Sequence, residues 1–322
     1  MKERILIIDG LNTFIRSWAV VPSMNTNGEH VGGVVGTLRS IKFAISEVKP
    51  SKVIVVWDGE GGSRKRRSVY SEYKAGRKPK INRQFDFDSV DQSRANMMMQ
   101  QAKTKQLIEL LGMSVVEISD IEADDTIGYL CTQMYAEKQK VIMSTDKDFY
   151  QLIDAFTIVY SPSKKMYYSS SAFQNEYGVL PENYILVKAL KGDASDNVKG
   201  LSGIGDKTAV KLFPMLGERP VRLDELLAIA ETNRAKNPKY EAVIANRDLL
   251  IGNVQLMQLT SPVISAKSAM LIRNTVEQTR AKFTMSEFKL ALIKDGIQII
   301  DVDFFTVFKE YAMNSGVIDN GA

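Results

Sequence analysis

Lys140-Val141-Ile142-Met143-Ser144-Thr145-Asp146-Lys147-Asp148 decides how this chain is read: a short apolar run that breaks off into acid. Lys140–Ser144 fits a strand buried on both faces of a parallel sheet, where polar and apolar residues no longer alternate. Working outward, Arg4–Ile8 runs into Asp9 and Lys52–Trp57 into Asp58. Ser114–Ile118 is a similar run, and Thr157–Tyr160 a further short strand for the edge. Helical spacing lies between these runs. Val34–Val48 puts Val35, Leu38, Ile41, Ile45 and Val48 on one face, and Ala102–Leu111 and Thr126–Lys138 read similarly. The alternation predicts an α/β fold, a mostly parallel central sheet flanked by helices. Beyond about Pro181 the strand pattern stops. Helices are expected over Glu182–Lys191, Asp206–Phe213, Leu223–Glu231, Tyr240–Ile251 and a longer tail to Tyr311. The predicted organisation is a core over 1–180, carrying a basic segment at about 60–95, and a helical region over 181–322.

Composition narrows the chemistry. Hydrophobic residues make up 44% of the 322, enough for a packed core. One cysteine, Cys131, excludes an internal disulfide and a cysteine metal cluster, and fits a reducing, cytoplasmic setting. One histidine, His30, leaves little support for a zinc site or a Ser–His–Asp triad. No run is long and apolar enough to span a bilayer, so no membrane partner is expected.

A single Asp after a strand is ordinarily an N-cap or a solvated turn residue. Here several gather, because the carboxyl ends of parallel strands lie along one edge, where ligands bind. Asp9, Asp58, Asp146 and Asp148 belong to that edge. Glu122-Ala123-Asp124-Asp125 opens a helix after the third strand, and Asp193 and Asp196 lie between two helices of the second half. Crowded carboxylates repel and shift one another's pKa values, and a cation relieves that. All-oxygen donors select a hard ion, so Mg²⁺ is expected and Mn²⁺ as its substitute. The number of acids suggests two ions, the arrangement that serves phosphoryl transfer.

Directly after Asp58 the chain turns basic. Arg64, Lys65, Arg66, Arg67, Lys74, Arg77, Lys78, Lys80 and Arg83 stand with Tyr70 and Tyr73 among them. A charge run is usually a solvated surface. Beside an acidic edge, with aromatics for stacking, this one suits nucleic acid. Gly200–Ala209 is a second candidate contact. Gly203 and Gly205 flank Ile204 in a tight turn whose backbone N–H groups could meet a phosphate, with Lys207 and Thr208 following.

Taken together these residues resemble the 5′-nuclease or flap endonuclease superfamily, with its PIN-like α/β domain. The resemblance covers most of residues 1–215. It rests on Asp9-Gly10, Trp57-Asp58-Gly59, Tyr73-Lys74-Ala75-Gly76-Arg77, Glu122-Ala123-Asp124-Asp125, Ser144–Phe149, Gly192–Asn197 and the glycine turn. Within the superfamily the chain looks most similar to the ribonuclease H branch of T-even phages. The resemblance implies metal-site roles for Asp9, Asp58, Glu122, Asp124, Asp125, Asp146 and Asp148, and a second ion held by Asp193 and Asp196, in part through water. It implies that Lys74 and Arg77 contact the scissile phosphate with Asp146 at the catalytic centre. The basic segment becomes a helical arch and Gly200–Ala209 a helix-three-turn-helix duplex grip. The implied activity is 5′-3′ exonuclease and flap endonuclease cleavage of branched or nicked DNA and of RNA–DNA, removing primers or flaps in phage replication. The protein would act as a monomer beside replication proteins such as a single-strand-binding protein or clamp.

Gln298 followed by Phe304-Phe305 invites comparison with a clamp-binding motif, but Asp301 stands where an apolar residue is needed, so a buried segment is expected. Two rivals remain: a PIN-type single-strand ribonuclease, which needs fewer acids and no glycine turn, and a non-catalytic structure-specific DNA-binding protein, which has no need of the full acid set.

Overall fold

Ile5 and Ile7 pack into one core, Leu6 and Ile8 into another on the opposite side of the sheet, and all four are buried. In β2 (Lys52–Asp58), Ile54 and Val56 face the first core, and Val53 and Val55 the second. Burial on both faces explains the near-continuous apolar runs; each side chain so buried contributes about 1.5–3 kcal/mol. A computed structural model describes residues 3–76, 81–277, 283–299 and 303–316.

The sheet has the order β3-β2-β1-β4-β5-β6, with β1 at Arg4–Asp9, β3 at Ser114–Ile118, β4 at Gln139–Met143, β5 at Thr157–Ser161 and β6 at Met166–Tyr168. All neighbours are parallel except β5 and β6. The helices are α1 (Gly10–Val20), α2 (Gly32–Val48), α3 (Arg64–Val69), α4 (Val90–Leu110), α5 (Ala123–Tyr129), α6 (Ser170–Tyr177) and α7 (Tyr184–Lys191). The second half adds α8 (Asp206–Leu212), α9 (Leu223–Thr232), α10 (Pro238–Ala245), α11 (Arg247–Met257), α12 (Ala266–Glu277), α13 (Met285–Lys294) and α14 (Phe304–Asn314). Among the described residues, no helix is long and apolar enough to cross a membrane.

Several expectations need correction. The helix expected over Thr126–Lys138 starts at Ala123 and loses its α-helical turn after Tyr129, widening to a π-type turn over Leu130–Met134. Its end is closed by Lys140, a buried ammonium that donates to the carbonyls of Tyr135 (2.7 Å), Ala136 (3.0 Å) and Lys138 (2.8 Å). The helix expected over Tyr240–Ile251 is two helices, broken at Asn246, whose side chain donates back to the Ala242 carbonyl at 2.8 Å. Strand pairing also continues past Pro181: β7 (Gly192–Asp193) and β8 (Val198–Lys199) form a small antiparallel hairpin. Helices α1 and α6 are additional to the expected elements. Each begins at a capping side chain, Asp9 accepting from Asn12 N and Ser169 from Ala172 N. Of the segment expected to be buried, Phe304 is buried and Phe305 is half-buried against the same core, while Gln298 is exposed and Asp301 lies outside the described residues.

Candidate metal centre and nucleic-acid interface

Asp9 and Asp58 end adjacent parallel strands, and Asp146 follows β4 on the other side of β1. The topology thus brings acids from opposite ends of the first half to one sheet edge. Local bonds fix them there. Ser144 Oγ donates to Asp9 Oδ2 at 2.8 Å and accepts from Asp146 N at 3.0 Å. Asn12 Oδ1 accepts from Thr145 Oγ1 at 2.9 Å, docking the start of α1 on the end of β4. Asp58 Oδ1 accepts from Ala123 N at 2.7 Å, which aims the first turn of α5, with Asp124 and Asp125, at the same edge.

The acids fall into two electrostatic classes. Asp9, Asp124 and Asp146 resist ionisation. Burial first, then the nearby Asp58 charge, pushes Asp9 up to about 6 against hydrogen bonds from Asn12 and Ser144. Burial and Asp146 push Asp124 well up, and burial and Asp148 push Asp146 up to about 7. The second class is paired with tethered cations. Burial works against the Glu122 charge, but Lys74 at 2.5 Å and Arg66 at 2.5 Å outweigh it, and Tyr73 Oη adds a hydrogen bond at 3.0 Å. Asp125 pairs with two guanidinium nitrogens of Arg66, at 2.7 and 2.9 Å. Lys188, buried in α7, bridges Asp148 and Asp193, the latter at 3.0 Å. Lys188 also helps hold Asp193 low against the effect of burial.

Glu122 and Asp125 were expected beside the metal acids. In this structure both are paired with cations of the basic segment, Glu122 with Arg66 and Lys74 and Asp125 with Arg66, and so they also anchor that segment to this edge. Among the described residues, no three Asp, Glu, His or Cys side chains are close enough together to share one ion. Lys188 stands between Asp148 and Asp193, and Arg66 and Lys74 draw Glu122 and Asp125 aside. The chemistry still fits a hard divalent cation, since Asp9, Asp124 and Asp146 are all-oxygen donors whose charge is under-compensated. Asp196 is half-buried on the hairpin loop beside Asp193.

The basic segment is divided. Arg64, Lys65 and Arg67 are exposed on α3, with Arg64 paired to Asp120 at 2.9 Å and Arg67 Nε donating to the Tyr73 carbonyl at 3.3 Å. Arg66 turns inward, donating also to the Leu256 carbonyl at 2.9 Å, so its expected contact with nucleic acid is corrected to an internal one. Tyr73 is likewise corrected. It is only 3% exposed, under the Lys74 ammonium at 4.9 Å, and offers no face for stacking. Arg77 and Lys78 lie outside the described residues. A cleft of about 740 Å³ opens between Asp58 and this segment, lined by Ser63, Arg67, Lys74 and Glu122. A second, of about 450 Å³, opens beside Asp146, Asp148, Lys188 and Asp193. In the glycine turn, Gly203 (φ +72°), Gly205 and Lys207 are exposed and Thr208 is half-buried, while Leu201 and Ile204 anchor the turn from below.

Lys188 escaped the sequence reading. The one available signal was a lysine inside the apolar run Tyr184-Ile185-Leu186-Val187-Lys188-Ala189-Leu190 just ahead of Asp193. Ser144 and Asn12 carried no signal, since neither residue type is unusual beside a strand end.

Comparison with known proteins agrees in both halves. The 5′-3′ exonuclease N-terminal resolvase-like domain matches residues 4–178, and the 5′-3′ exonuclease C-terminal SAM fold matches residues 179–286. The 5′-3′ exonuclease of Buchnera aphidicola subsp. Schizaphis graminum is 31% identical over 214 residues, 66% of this chain and 70% of that protein. The thermostable DNA polymerase I of Thermus filiformis is 35% identical over 216 residues, 67% of this chain but 24% of the polymerase. The chain therefore spans about a quarter of the length of the polymerase relatives it matches. Among solved structures, the bacteriophage T5 D15 flap endonuclease in complex with DNA and metal ions superposes with a TM-score of 0.65 at 19% identity, covering 92% of this chain and all (100%) of that one. Flap endonuclease-1 from Methanococcus jannaschii gives 0.52 at 14% identity, covering 100% and 94%. These two structural likenesses, distant in sequence, show a shared fold. With both domain matches in register and a 31% identical relative covered over 70% of its length, the chain belongs to the 5′-3′ exonuclease family.

Proposed function

We propose that this protein is a divalent-metal-dependent 5′ nuclease that acts on flapped or nicked DNA and on RNA–DNA during replication in the cytoplasm. The observation that carries this reading is the group of under-compensated carboxyls, Asp9, Asp124 and Asp146, on the sheet edge beside a cation-bearing segment. In this reading Asp9, Asp58, Asp124 and Asp146 draw together around a first Mg²⁺ as it binds, with Glu122 and Asp125 at its rim, and Asp148, Asp193 and Asp196 hold a second, in part through water, once it displaces the Lys188 ammonium, with Mn²⁺ able to substitute. Bound there, such ions supply an activated water and a counter-charge for the phosphate. The chain's own residues do the rest. Ser144 and Asn12 fix the acids, and burial excludes bulk water from Asp9. Lys74 stabilises charge building on the scissile phosphate once it leaves Glu122, with Arg77 beside it. Arg64, Lys65, Arg67 and Lys78 attract the single strand, and Gly203, Gly205, Lys207 and Thr208 hold the duplex backbone. Residues 1–180 act as the catalytic core, and residues 181–322 as the helical grip.

The test is cleavage of end-labelled flap, nicked and RNA–DNA substrates with Mg²⁺ and with EDTA. Release of short 5′ products in Mg²⁺ alone is expected. Equal cleavage in EDTA, or cleavage confined to unstructured single-stranded RNA, would overturn the reading.

A further inference from the structure

The base of the basic segment is tied to the hairpin that carries Asp193 and Asp196. Lys74 N donates to the Asp196 carbonyl at 2.8 Å, and Asn197 Nδ2 donates to the Glu72 carbonyl at 2.9 Å. The two bonds run in opposite directions between Glu72–Lys74 and Asp196–Asn197, so they form a clasp. Both Lys74 (φ 55°) and Asn197 (φ 59°) adopt left-handed backbone. That conformation is costly for most side chains and milder for Asn, and it persists where the surroundings over-determine it. Each side of the clasp is itself rigid. Tyr73 is buried, and Ala75 N donates to the Glu72 carbonyl at 2.9 Å. The hairpin is closed by β7 and β8, and Asp193 Oδ1 accepts from Ser195 N at 2.8 Å. Displacing the base of the segment therefore displaces the loop bearing Asp193 and Asp196.

We propose that Asn197 is a positioning residue: its carboxamide locks the base of the arch, with Lys74, to the hairpin of Asp193 and Asp196, so that the phosphate contact and the second-ion acids assemble as one unit. The inference rests on the nuclease reading above, but the clasp itself is measurable without catalysis. Asn197→Gly keeps the left-handed backbone accessible and removes the donor. Asn197→Asp keeps shape and backbone preference, and replaces the donor by an acceptor. Amide hydrogen exchange over residues 70–76 of the full chain, in EDTA, reads the clasp. A Mg²⁺ titration of single-turnover flap cleavage reads its consequence. Both variants are expected to exchange at least tenfold faster over 70–76, and to require several-fold more Mg²⁺ for half-maximal rate, while global unfolding stays cooperative. Unchanged exchange in both variants overturns the clasp. Faster exchange with a wild-type Mg²⁺ midpoint overturns the coupling. A variant that fails to fold cooperatively is decided by the other variant. Wild-type protein that cleaves no substrate sinks the nuclease reading alone, since the exchange arm still decides whether Asn197 holds the arch base.

Discussion

In the absence of metal, Asp9→Asn should make the protein more stable near neutral pH, although Asp9 is read as essential to activity. Burial and the Asp58 charge raise the Asp9 carboxyl from its ordinary 3.8 to about 6. An acid raised in the folded state binds its proton more tightly there than in the unfolded chain. Stability is therefore full below about pH 4, falls as pH rises toward 6, and levels off above that. At about 1.36 kcal/mol per pKa unit, ionised Asp9 costs about 3 kcal/mol at pH 7.5. Asparagine keeps an oxygen to accept from Asn12 N and does not ionise. In EDTA at pH 7.5 the variant should melt roughly 6–12 °C above wild type, taking 2–4 °C per kcal/mol. At pH 4 the two should coincide. Excess Mg²⁺ should raise the wild type and close the gap, because a ligand that binds only the folded state stabilises it. The assay is thermal unfolding in EDTA and in Mg²⁺ at both pH values. A difference of the same size at pH 4 and pH 7.5, or none at either, refutes the reasoning.

Asp146→Asn should abolish flap cleavage while substrate affinity, measured by fluorescence anisotropy, stays within about tenfold, because phosphate binding is carried by basic groups. Lys74→Ala should lower the single-turnover rate by roughly 10²-fold or more through loss of a positioned cation, seen in rapid-quench assays at saturating substrate. Lys188→Met should destabilise the metal-free protein by about 3–5 kcal/mol in urea denaturation, since Asp148 and Asp193 lose their tethered partner, and added Mg²⁺ should recover most of that loss.

The sheet was legible because burial on both faces leaves an unbroken apolar signature, as in Val53–Trp57, and because strand-end acids read directly as Asp9, Asp58 and Asp146. What escaped depends on distant partners. Arg66 and Lys74 look like any surface cations until the fold sets them on Glu122, and Lys188 reads as one charge in an apolar helix until the loops of Asp148 and Asp193 close around it. The break at Asn246 has a local cause, but periodicity alone runs straight through it, because Tyr240, Val243, Ile244, Leu250 and Ile251 continue the same stripe.

The distribution of compensation across the acids argues for where a cation belongs. If the carboxylates served only to dock the basic segment, each would have a tethered partner and a depressed pKa. Glu122 and Asp193 behave so, and both lie at the rim, against the arch base and α7. Asp9 and Asp146 do the opposite, though the backbone and Ser144 bonds around them favour ionisation. Those bonds preorganise oxygen donors without supplying enough positive charge to balance them. The rim is neutralised by lysine and arginine, and the centre is left short of positive charge. A compact divalent ion corrects that deficit at the centre, whereas the tethered ammonium and guanidinium groups are already committed at the rim.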